Sequence, residues 1–225
     1  MYDSTYRLFA GILHCVPLAL MPENRPVKRI GFIGLGDMGL PMACNLLKAG
    51  FDVTGFDLRP ERLDLLKDEG GLGAGSVGEL GQNSDVVFVM VMTGKQVAEI
   101  ILGDNGLLKS MRPGSVIILS STIAPSDALE VAVPVLNGGL KMIDTPVSGG
   151  KSGAENGTLT IMAASDQETF DNCQDVLKGV GERIFHVGEE IGMGQTVKAA
   201  LQALIGSTFT AIFESLVLGS KAGVR

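Results

Sequence analysis

The chain has 225 residues, of which 45% are hydrophobic and 19% are charged, and its formal net charge at pH 7 is -7. This composition indicates a globular protein with one domain, or one domain and part of another. The acidic balance, without any run of Lys and Arg, argues against a nucleic-acid partner. Three scattered cysteines and two histidines predict neither a disulfide framework nor a metal site, so we expect a reducing, cytoplasmic compartment.

The first segment, residues 1–27, is predicted to be an N-terminal extension. Residues 8–21 are mostly apolar, but Asp3 precedes them and Pro17 interrupts them, which is not typical of a secretory signal. The run is also too short to cross a bilayer as a helix, so we expect no membrane partner. Two interpretations stay open, namely a targeting segment and an upstream extension before a natural start at Met21.

From residue 28 the chain alternates between short apolar runs and helix-like stretches. Strands are predicted at Arg29–Ile33, Asp52–Phe56, 85–92, 115–119 and 140–143, and helices at 38–49 and from Pro60. Further strands are predicted at 158–164 and 183–187, with a helix at 168–177 and one long helix from about residue 193. This alternation predicts βαβ units, so the expected class is α/β, a Rossmann-like doubly wound parallel sheet followed by the start of an all-α domain.

A glycine-rich turn follows the first predicted strand. It reads Gly34-Leu35-Gly36-Asp37-Met38-Gly39, a G-x-G-x-x-G pattern between a strand and a helix. Gly34 permits a tight turn, Gly36 lets a pyrophosphate approach the backbone, and Gly39 lets the helix pack against the strand. The alternative is a glycine-rich turn without a ligand. In this context we predict a dinucleotide-binding loop over residues 34–39.

An acidic residue ends the second predicted strand. Asp57 lies 23 positions after Gly34, close to the spacing at which dinucleotide-binding proteins hold the adenosine ribose. Its carboxylate would accept hydrogen bonds from the ribose hydroxyls and repel a 2′-phosphate, so NAD is expected and NADP is disfavoured. Arg59 could soften this preference, although we favour its interpretation as a solvated surface arginine.

Three segments resemble the β-hydroxyacid dehydrogenase family: GFIGLGDMGLPMACNLLKAG at 31–50, DTPVSGG at 144–150 and GMGQTVK at 192–198. They occur in the family's order, and the resemblance covers residues 28–225. It implies an NAD-binding Rossmann domain at 28–190 and, at 191–225, the first long helix of a helical domain whose remainder would lie beyond residue 225. It also implies an NAD-dependent oxidoreductase that transfers a hydride from a small β-hydroxyacid to the nicotinamide.

The resemblance places the substrate at Ser148, Gly149 and Gly150 and the proton transfer at Lys198. A hydroxyl and exposed backbone N–H groups in a tight loop suit a carboxylate, although a plain turn would use the same residues. Partial burial lowers the pKa of an amine, so a neutral Lys198 could take the hydroxyl proton as the catalytic base. The alternative is a structural lysine whose stem packs at the start of a helix.

The chain departs from the family after the lysine. The family often has two asparagines at the positions of Leu201 and Gln202. Gln202 lies four residues after Lys198 on the same helical face and can still offer an amide to the substrate. Glutamine here resembles the members that act on four-carbon sugar acids such as threonate, so threonate and 3-hydroxyisobutyrate stay alternative substrates.

Four more residues are expected beside the cofactor because of the resemblance. Thr122 matches a family position near the nicotinamide and the substrate, and its alternative role is a helix cap. Val91 and Met92, at the end of the predicted strand 85–92, and Gln96 in the loop after it match cofactor contacts.

The long C-terminal helix carries an apolar stripe. Its residues recur at helical spacing and are Phe209, Ile212, Phe213, Leu216 and Val217. An apolar stripe of this kind marks an interaction surface, so we expect a homodimer, or a higher homo-oligomer, through this helix.

Two other functions stay open at the sequence level. The chain could be a dinucleotide-binding fragment without catalysis, or a related reductase of small aldehydes such as succinic semialdehyde or glyoxylate. Reduction of imines is disfavoured, because the family-level lysine is usually replaced in imine reductases and Lys198 is present here.

Overall fold

The computed structural model describes residues 28–224, and the predicted extension at residues 1–27 lies outside the described residues. The first six strands are β1 (Arg29–Ile33), β2 (Asp52–Phe56), β3 (Leu72–Gly73), β4 (Val86–Val89), β5 (Val116–Leu119) and β6 (Lys141–Asp144). They form a parallel sheet in the order β3-β2-β1-β4-β5-β6. This doubly wound order confirms the predicted α/β class and its Rossmann-like sheet.

Helices cover both faces of this sheet. They are α1 (Gly39–Lys48), α2 (Pro60–Asp68), α3 (Val77–Asn83), α4 (Gly94–Leu102), α5 (Leu107–Ser110) and α6 (Pro125–Asn137). In β4, Val86 and Phe88 belong to one core with residues of α1 and α2, whereas Val87 and Val89 belong to a second core with residues of α3 to α6. A strand buried on both faces reads as a continuous apolar run, which is why β4 is visible in the sequence.

The sequence predicts a parallel sheet, but the sheet of the structure is mixed. The later elements are β7 (Val147–Ser148), α7 (Gly150–Asn156), β8 (Leu159–Ala164), α8 (Gln167–Lys178) and β9 (Gly181–Gly188). Strand β8 pairs antiparallel with β6 and β7 and parallel with β9. The short helix α7 returns the chain directly after β7, and so short a connection is too compact for a parallel crossover. Helix α8 is the longer crossover that makes β8 and β9 parallel.

Strand β4 ends three residues earlier than predicted, at Val89. The N–H of Met90 still donates to the carbonyl of Ile33, at 2.9 Å, but β1 ends there. The next N–H, that of Val91, instead donates to the side-chain oxygen of Ser121. Residues 90–92 therefore leave the sheet at its carboxyl edge.

The last described element is the long helix α9 (Met193–Lys221), which confirms the predicted C-terminal helix. Its first turns pack against β6, β8, β9 and α6, and the rest extends into solvent in the described chain. The exposed residues include the stripe predicted from the sequence: Phe209, Ile212, Phe213, Leu216 and Val217. By length and mean hydropathy alone, α9 is a helix that could cross a membrane, and none of its most apolar 18-residue window is buried.

Candidate functional site

The glycine loop between β1 and α1 has the geometry that the sequence predicts. Gly34 has a φ of 91°, and a Cβ there would lie 2.2 Å from the carbonyl oxygen of Met90. A Cβ on Gly39 would lie 1.8 Å from the carbonyl oxygen of Gly34, so the start of α1 packs directly on the turn. At Gly36, by contrast, the nearest atom to a Cβ is a guanidinium nitrogen of Arg59, at 4.0 Å. The middle glycine therefore borders open space.

The amino end of α1 faces this open space without a side-chain cap. Its N-cap residue, Met38, makes no side-chain cap hydrogen bond. By contrast, the side chains of Thr93 and Asp166 cap the helices α4 and α8. An uncapped helix N-terminus beside glycine suits a phosphate, because unpaired N–H groups and the positive end of the helix dipole point towards it.

Asp57 joins this loop to the end of β2. Its Oδ2 accepts a hydrogen bond from the N–H of Leu35 at 2.8 Å, and its Oδ1 accepts from the backbone N–H and the Nε of Arg59, at 3.0 and 3.1 Å. Burial would raise the pKa of Asp57, but the hydrogen bonds from Arg59 and Leu35 outweigh burial and hold the pKa below its ordinary value. The carboxylate is therefore charged at neutral pH and fixed beside the loop.

A cleft of about 890 Å³ opens at the carboxyl edge of the sheet, in the size range of small-molecule sites. Most of the predicted cofactor residues line it: Gly34, Gly36, Asp37, Met38, Gly39, Asp57, Val91, Met92 and Gln96. Two predicted residues do not line it. The side chain of Leu35 is buried in the core, so only its backbone contributes to the site, and Thr122 lies outside the cleft.

Two arginines in the cleft were not predicted as site residues. Arg59 pairs with Asp57, and Arg62 donates to Asp37 at 3.1 Å, so both guanidinium groups are engaged by carboxylates of the loop region. The sequence signal for Arg59 was its position two residues after Asp57. The side chain is exposed, as the interpretation of a solvated surface arginine requires, but it also forms an ion pair with Asp57.

Gln96 has a structural role in the described chain. Its side-chain oxygen accepts hydrogen bonds from the N–H groups of Met92 and Thr93, both at 3.1 Å. The N–H of Gln96 in turn donates to the hydroxyl of Thr93, which completes a capping box at the start of α4. The helix cap explains this glutamine without a cofactor, although it still lines the cleft.

Thr122 is exposed in the loop between β5 and α6 and does not cap α6. That helix begins after Ala124 with Pro125 in its first turn and has no side-chain cap. The helix-cap alternative for Thr122 is therefore wrong. Its exposed position is compatible with contact to a ligand.

The second glycine loop, at 148–150, is an exposed turn at the start of α7. Gly149 and Gly150 have φ values of 136° and 61°, which L side chains rarely adopt, and no atom lies within 4 Å of a Cβ placed on Gly150. Ser148 ends β7 and is half-buried. The loop thus carries a half-buried serine and two exposed glycines, of which Gly150 borders open space.

Lys198 lies on the second turn of α9 and is only 7% exposed. Burial lowers the pKa of its amine, because desolvation disfavours the charged form. Gln202, one turn further along the helix, is exposed. The structure therefore separates the two: the lysine belongs to the packed part of α9 and the glutamine to its open part.

Asp144 and Gln195 form a buried pair that the sequence analysis missed. Asp144 ends β6, and its Oδ2 accepts hydrogen bonds from the N–H groups of Gly192 and Gln195, at 3.1 and 3.0 Å. Its Oδ1 accepts from the amide nitrogen of Gln195 at 2.7 Å. Burial raises the pKa of Asp144, although hydrogen bonds from Gln195, Gly192 and Gly194 oppose that rise. Both residues lie within the quoted segments DTPVSGG and GMGQTVK, which was the available signal.

Comparison with known proteins agrees with this geometry. Residues 29–188 match the family model of the NAD binding domain of 6-phosphogluconate dehydrogenase. The L-threonate dehydrogenase of Cupriavidus necator is 38% identical over 197 residues, which are 88% of this chain and 66% of that protein. The 3-hydroxyisobutyrate dehydrogenase of Pseudomonas aeruginosa is 41% identical over 195 residues, which are 87% of this chain and 65% of that protein.

A solved structure shows the same fold. The 3-hydroxyisobutyrate dehydrogenase of Mycobacterium tuberculosis with L-serine matches with a TM-score of 0.83 and 35% identity, over 88% of this chain and 67% of that one. The chain spans 66% and 65% of the length of the two curated relatives named above.

Proposed function

The chain belongs to the β-hydroxyacid dehydrogenase family, and from that membership we propose that the whole protein oxidises a small β-hydroxyacid with NAD. The observation that carries this proposal is the burial of Lys198 at the start of α9, on a helix anchored to the sheet that forms the dinucleotide cleft. A lysine whose pKa is lowered by burial can hold a neutral amine and act as a base.

The cleft residues fit NAD. Gly36 leaves room for the pyrophosphate, the uncapped end of α1 would bind its charge, and Asp57 would bind the adenosine ribose. Val91 and Met92 would contact the dinucleotide from the segment that follows β4. When bound, NAD supplies the acceptor for the hydride.

The remaining predicted residues would handle the substrate. The Ser148 hydroxyl and the N–H groups of Gly149 and Gly150 would bind the carboxylate, which orients the hydroxyl group of the substrate. Neutral Lys198 would then accept the proton of that hydroxyl, and its ammonium form would return the proton in the reverse reaction. Thr122 and Gln202 would contact the substrate from two further sides.

The substrate is proposed to be 3-hydroxyisobutyrate or a four-carbon sugar acid such as threonate. Proteins named for both activities are similar to this chain at comparable identity, so similarity alone does not choose between them. Gln202 favours the sugar acid, because an exposed amide can hydrogen-bond an additional hydroxyl group that 3-hydroxyisobutyrate lacks.

A substrate panel on the whole protein tests this proposal. L-Threonate, 3-hydroxyisobutyrate and L-serine would each be incubated with NAD while the absorbance of NADH is followed. We expect oxidation of at least one of the three. In a parallel assay with NADH, reduction of succinic semialdehyde in the absence of any hydroxyacid oxidation would favour the aldehyde reductase. Tight NAD binding without turnover in either assay would favour a non-catalytic binding protein.

The preference for NAD over NADP is expected to depend on Asp57. Asp57→Ala removes the acceptor for the ribose hydroxyls and also frees Arg59, which could then pair with a 2′-phosphate. We expect the preference for NAD to fall at least tenfold, about 1.4 kcal/mol, when both dissociation constants are measured by calorimetry. Asp52→Ala is the matched control, because Asp52 is an exposed carboxylate at the other end of β2. A wild-type protein that binds NADP tenfold more tightly would contradict this role of Asp57.

We further propose that the protein forms a homodimer through α9 in the cytoplasm. The exposed stripe from Phe209 to Val217 offers an apolar surface of the kind that mediates self-association. The buried free thiols of Cys44 and Cys173 are consistent with a reducing compartment. Sedimentation velocity of the whole protein tests the assembly.

A further inference from the structure

The buried Asp144–Gln195 pair meets three chain segments that carry proposed substrate contacts. Asp144 lies on β6, four residues before Ser148. Gln195 lies on the first turn of α9, three residues before Lys198, and both are buried while Thr196 and Val197 between them are exposed. Gln195 and Lys198 therefore share the helical face that packs on the sheet.

Gln195 also holds the third segment, the loop that carries Thr122. Its amide nitrogen donates to the carbonyl of Ser121 at 2.9 Å, and its side-chain oxygen accepts from the N–H of Ile123 at 3.0 Å. These two hydrogen bonds flank Thr122 and fix the backbone on both sides of it. One side-chain amide thus connects the loop after β5 to the start of α9.

The N-terminus of α9 is capped by Asp144, a residue far away in the sequence, and not by the side chain of its own N-cap residue. Its N-cap residue is Gly192, in a left-handed conformation without a side-chain cap. The N–H groups of Gly192 and of Gln195 in the first turn donate to Asp144, 48 and 51 residues earlier in the chain. Most N-caps are local, so they stabilise a helix without placing it on the sheet. This cap comes from the end of β6 and therefore sets where the first turn of α9 lies.

We propose that Asp144 and Gln195 are positioning residues that hold Lys198, Thr122 and the Ser148 loop in register for hydride and proton transfer. The inference rests on the proposed function, because it assigns a purpose to the relative placement of those three groups. A misplacement of about 1 Å at such a site can cost roughly 100-fold in rate. A buried carboxylate with several hydrogen bonds resists such displacement, since each broken bond would leave a buried group unsatisfied.

The test uses isosteric variants of the whole protein. Both carboxylate oxygens of Asp144 accept hydrogen bonds, and Asp144→Asn replaces one of them with an NH₂ group that cannot accept. In one orientation of the amide this NH₂ faces the side-chain amide of Gln195, and in the other it faces the backbone N–H groups of Gly192 and Gln195. Gln195→Met keeps the size of the side chain and leaves the bonds from Asp144 to the α9 backbone in place. It therefore provides the test even if Asp144→Asn fails to fold. We expect kcat to fall about 100-fold in each variant, with the dissociation constant of NAD changed less than twofold.

Thr196→Val is the matched control. Its hydroxyl donates to the carbonyl of Gly192 in the same turn of α9 but does not touch the pair. We expect it to keep the kcat of the wild type. A similar loss of kcat in this control, or wild-type kcat in both pair variants, would overturn the proposal.

The double variant Asp144→Asn with Gln195→Glu exchanges donor and acceptor within the pair. It restores the link between the two side chains and the contact to Ile123, but not the bond to Ser121. With Gln195→Glu measured as the second single variant of the cycle, we therefore expect partial recovery, with a kcat above the product of the effects of Asp144→Asn and Gln195→Glu. A double variant with no recovery would indicate that the link between the two side chains does not matter.

A second readout does not depend on turnover. Trace acetylation of Lys198 at a series of pH values, followed by mass spectrometry, reports the pKa of its amine. If α9 loosens in the pair variants, Lys198 becomes more solvated, and its pKa should rise towards the ordinary value. An unchanged labelling profile would oppose the positioning role. If the wild type oxidised no hydroxyacid, the proposed function would fail while this measurement still tested the placement of Lys198.

Discussion

Lys198→Ala in the whole protein is expected to lower kcat by roughly 10²-fold to 10⁴-fold, the usual contribution of a positioned acid or base. The physical reason is that no other described side chain of the proposed substrate site is a buried amine able to take the hydroxyl proton. The dissociation constant of NAD should change little, because Lys198 does not line the dinucleotide cleft. Steady-state kinetics with the preferred substrate and calorimetry with NAD measure the two quantities.

The pH dependence provides an independent check on the same residue. Oxidation needs the neutral amine, so the rate should rise with pH through the pKa of Lys198, which burial places below its ordinary value. Reduction of the keto or aldehyde product needs the ammonium form of Lys198, so the rate of the reverse reaction should fall as the pH rises through the same pKa. Both limbs should disappear in Lys198→Ala and persist in Lys178→Ala, a control at an exposed lysine near the end of α8. A Lys198 variant that kept most of its turnover would exclude the lysine as the base.

Much of the fold was predictable because the central parallel strands β1, β4 and β5 are almost fully buried and read as apolar runs. Strands β1 and β2 have the predicted bounds: β1 is an almost fully buried apolar run before the glycine turn, whereas β2 alternates between buried and more exposed residues and stops before Asp57. The antiparallel pairing of β8 was not predictable from local pattern, because pairing direction depends on which distant strand lies beside it. The end of β4 was misplaced for a similar reason: Met90 to Met92 are apolar, but no neighbouring strand extends beside them.

Two glycines of the candidate site were predictable because the backbone at their positions leaves no room for a side chain. Gly34 and Gly39 are required by backbone contacts that any Cβ would violate. Asp144 and Gln195 were missed because their importance lies in hydrogen bonds across 51 residues, which no local spacing reveals. Gln96 has a local role that the sequence analysis overlooked, since the T-x-x-Q pattern from Thr93 indicates a capping box, while its contact with a cofactor stays a prediction.

Gly36→Ala is expected to weaken NAD binding by roughly 10-fold to 100-fold, about 1.4 to 2.8 kcal/mol, without loss of stability. Gly36 is not among the glycines of positive φ, and its Cβ would meet no protein atom closer than 4.0 Å, so the protein itself tolerates alanine. The pyrophosphate, however, should occupy the space above this position, and a methyl group would block its approach to the backbone. Calorimetry with NAD and thermal melting of the free protein measure the two effects separately.

The contrast with Gly39 makes this prediction specific to the ligand. Gly39→Ala places a Cβ 1.8 Å from the carbonyl oxygen of Gly34, so it should lower the melting temperature and NAD affinity together. Gly36→Ala should lower affinity alone, and Gly36→Val should lower it further because the larger side chain fills more of the same space. If Gly36→Ala bound NAD as tightly as the wild type, the dinucleotide would not cross the loop at Gly36, and the uncapped end of α1 would not be its phosphate site.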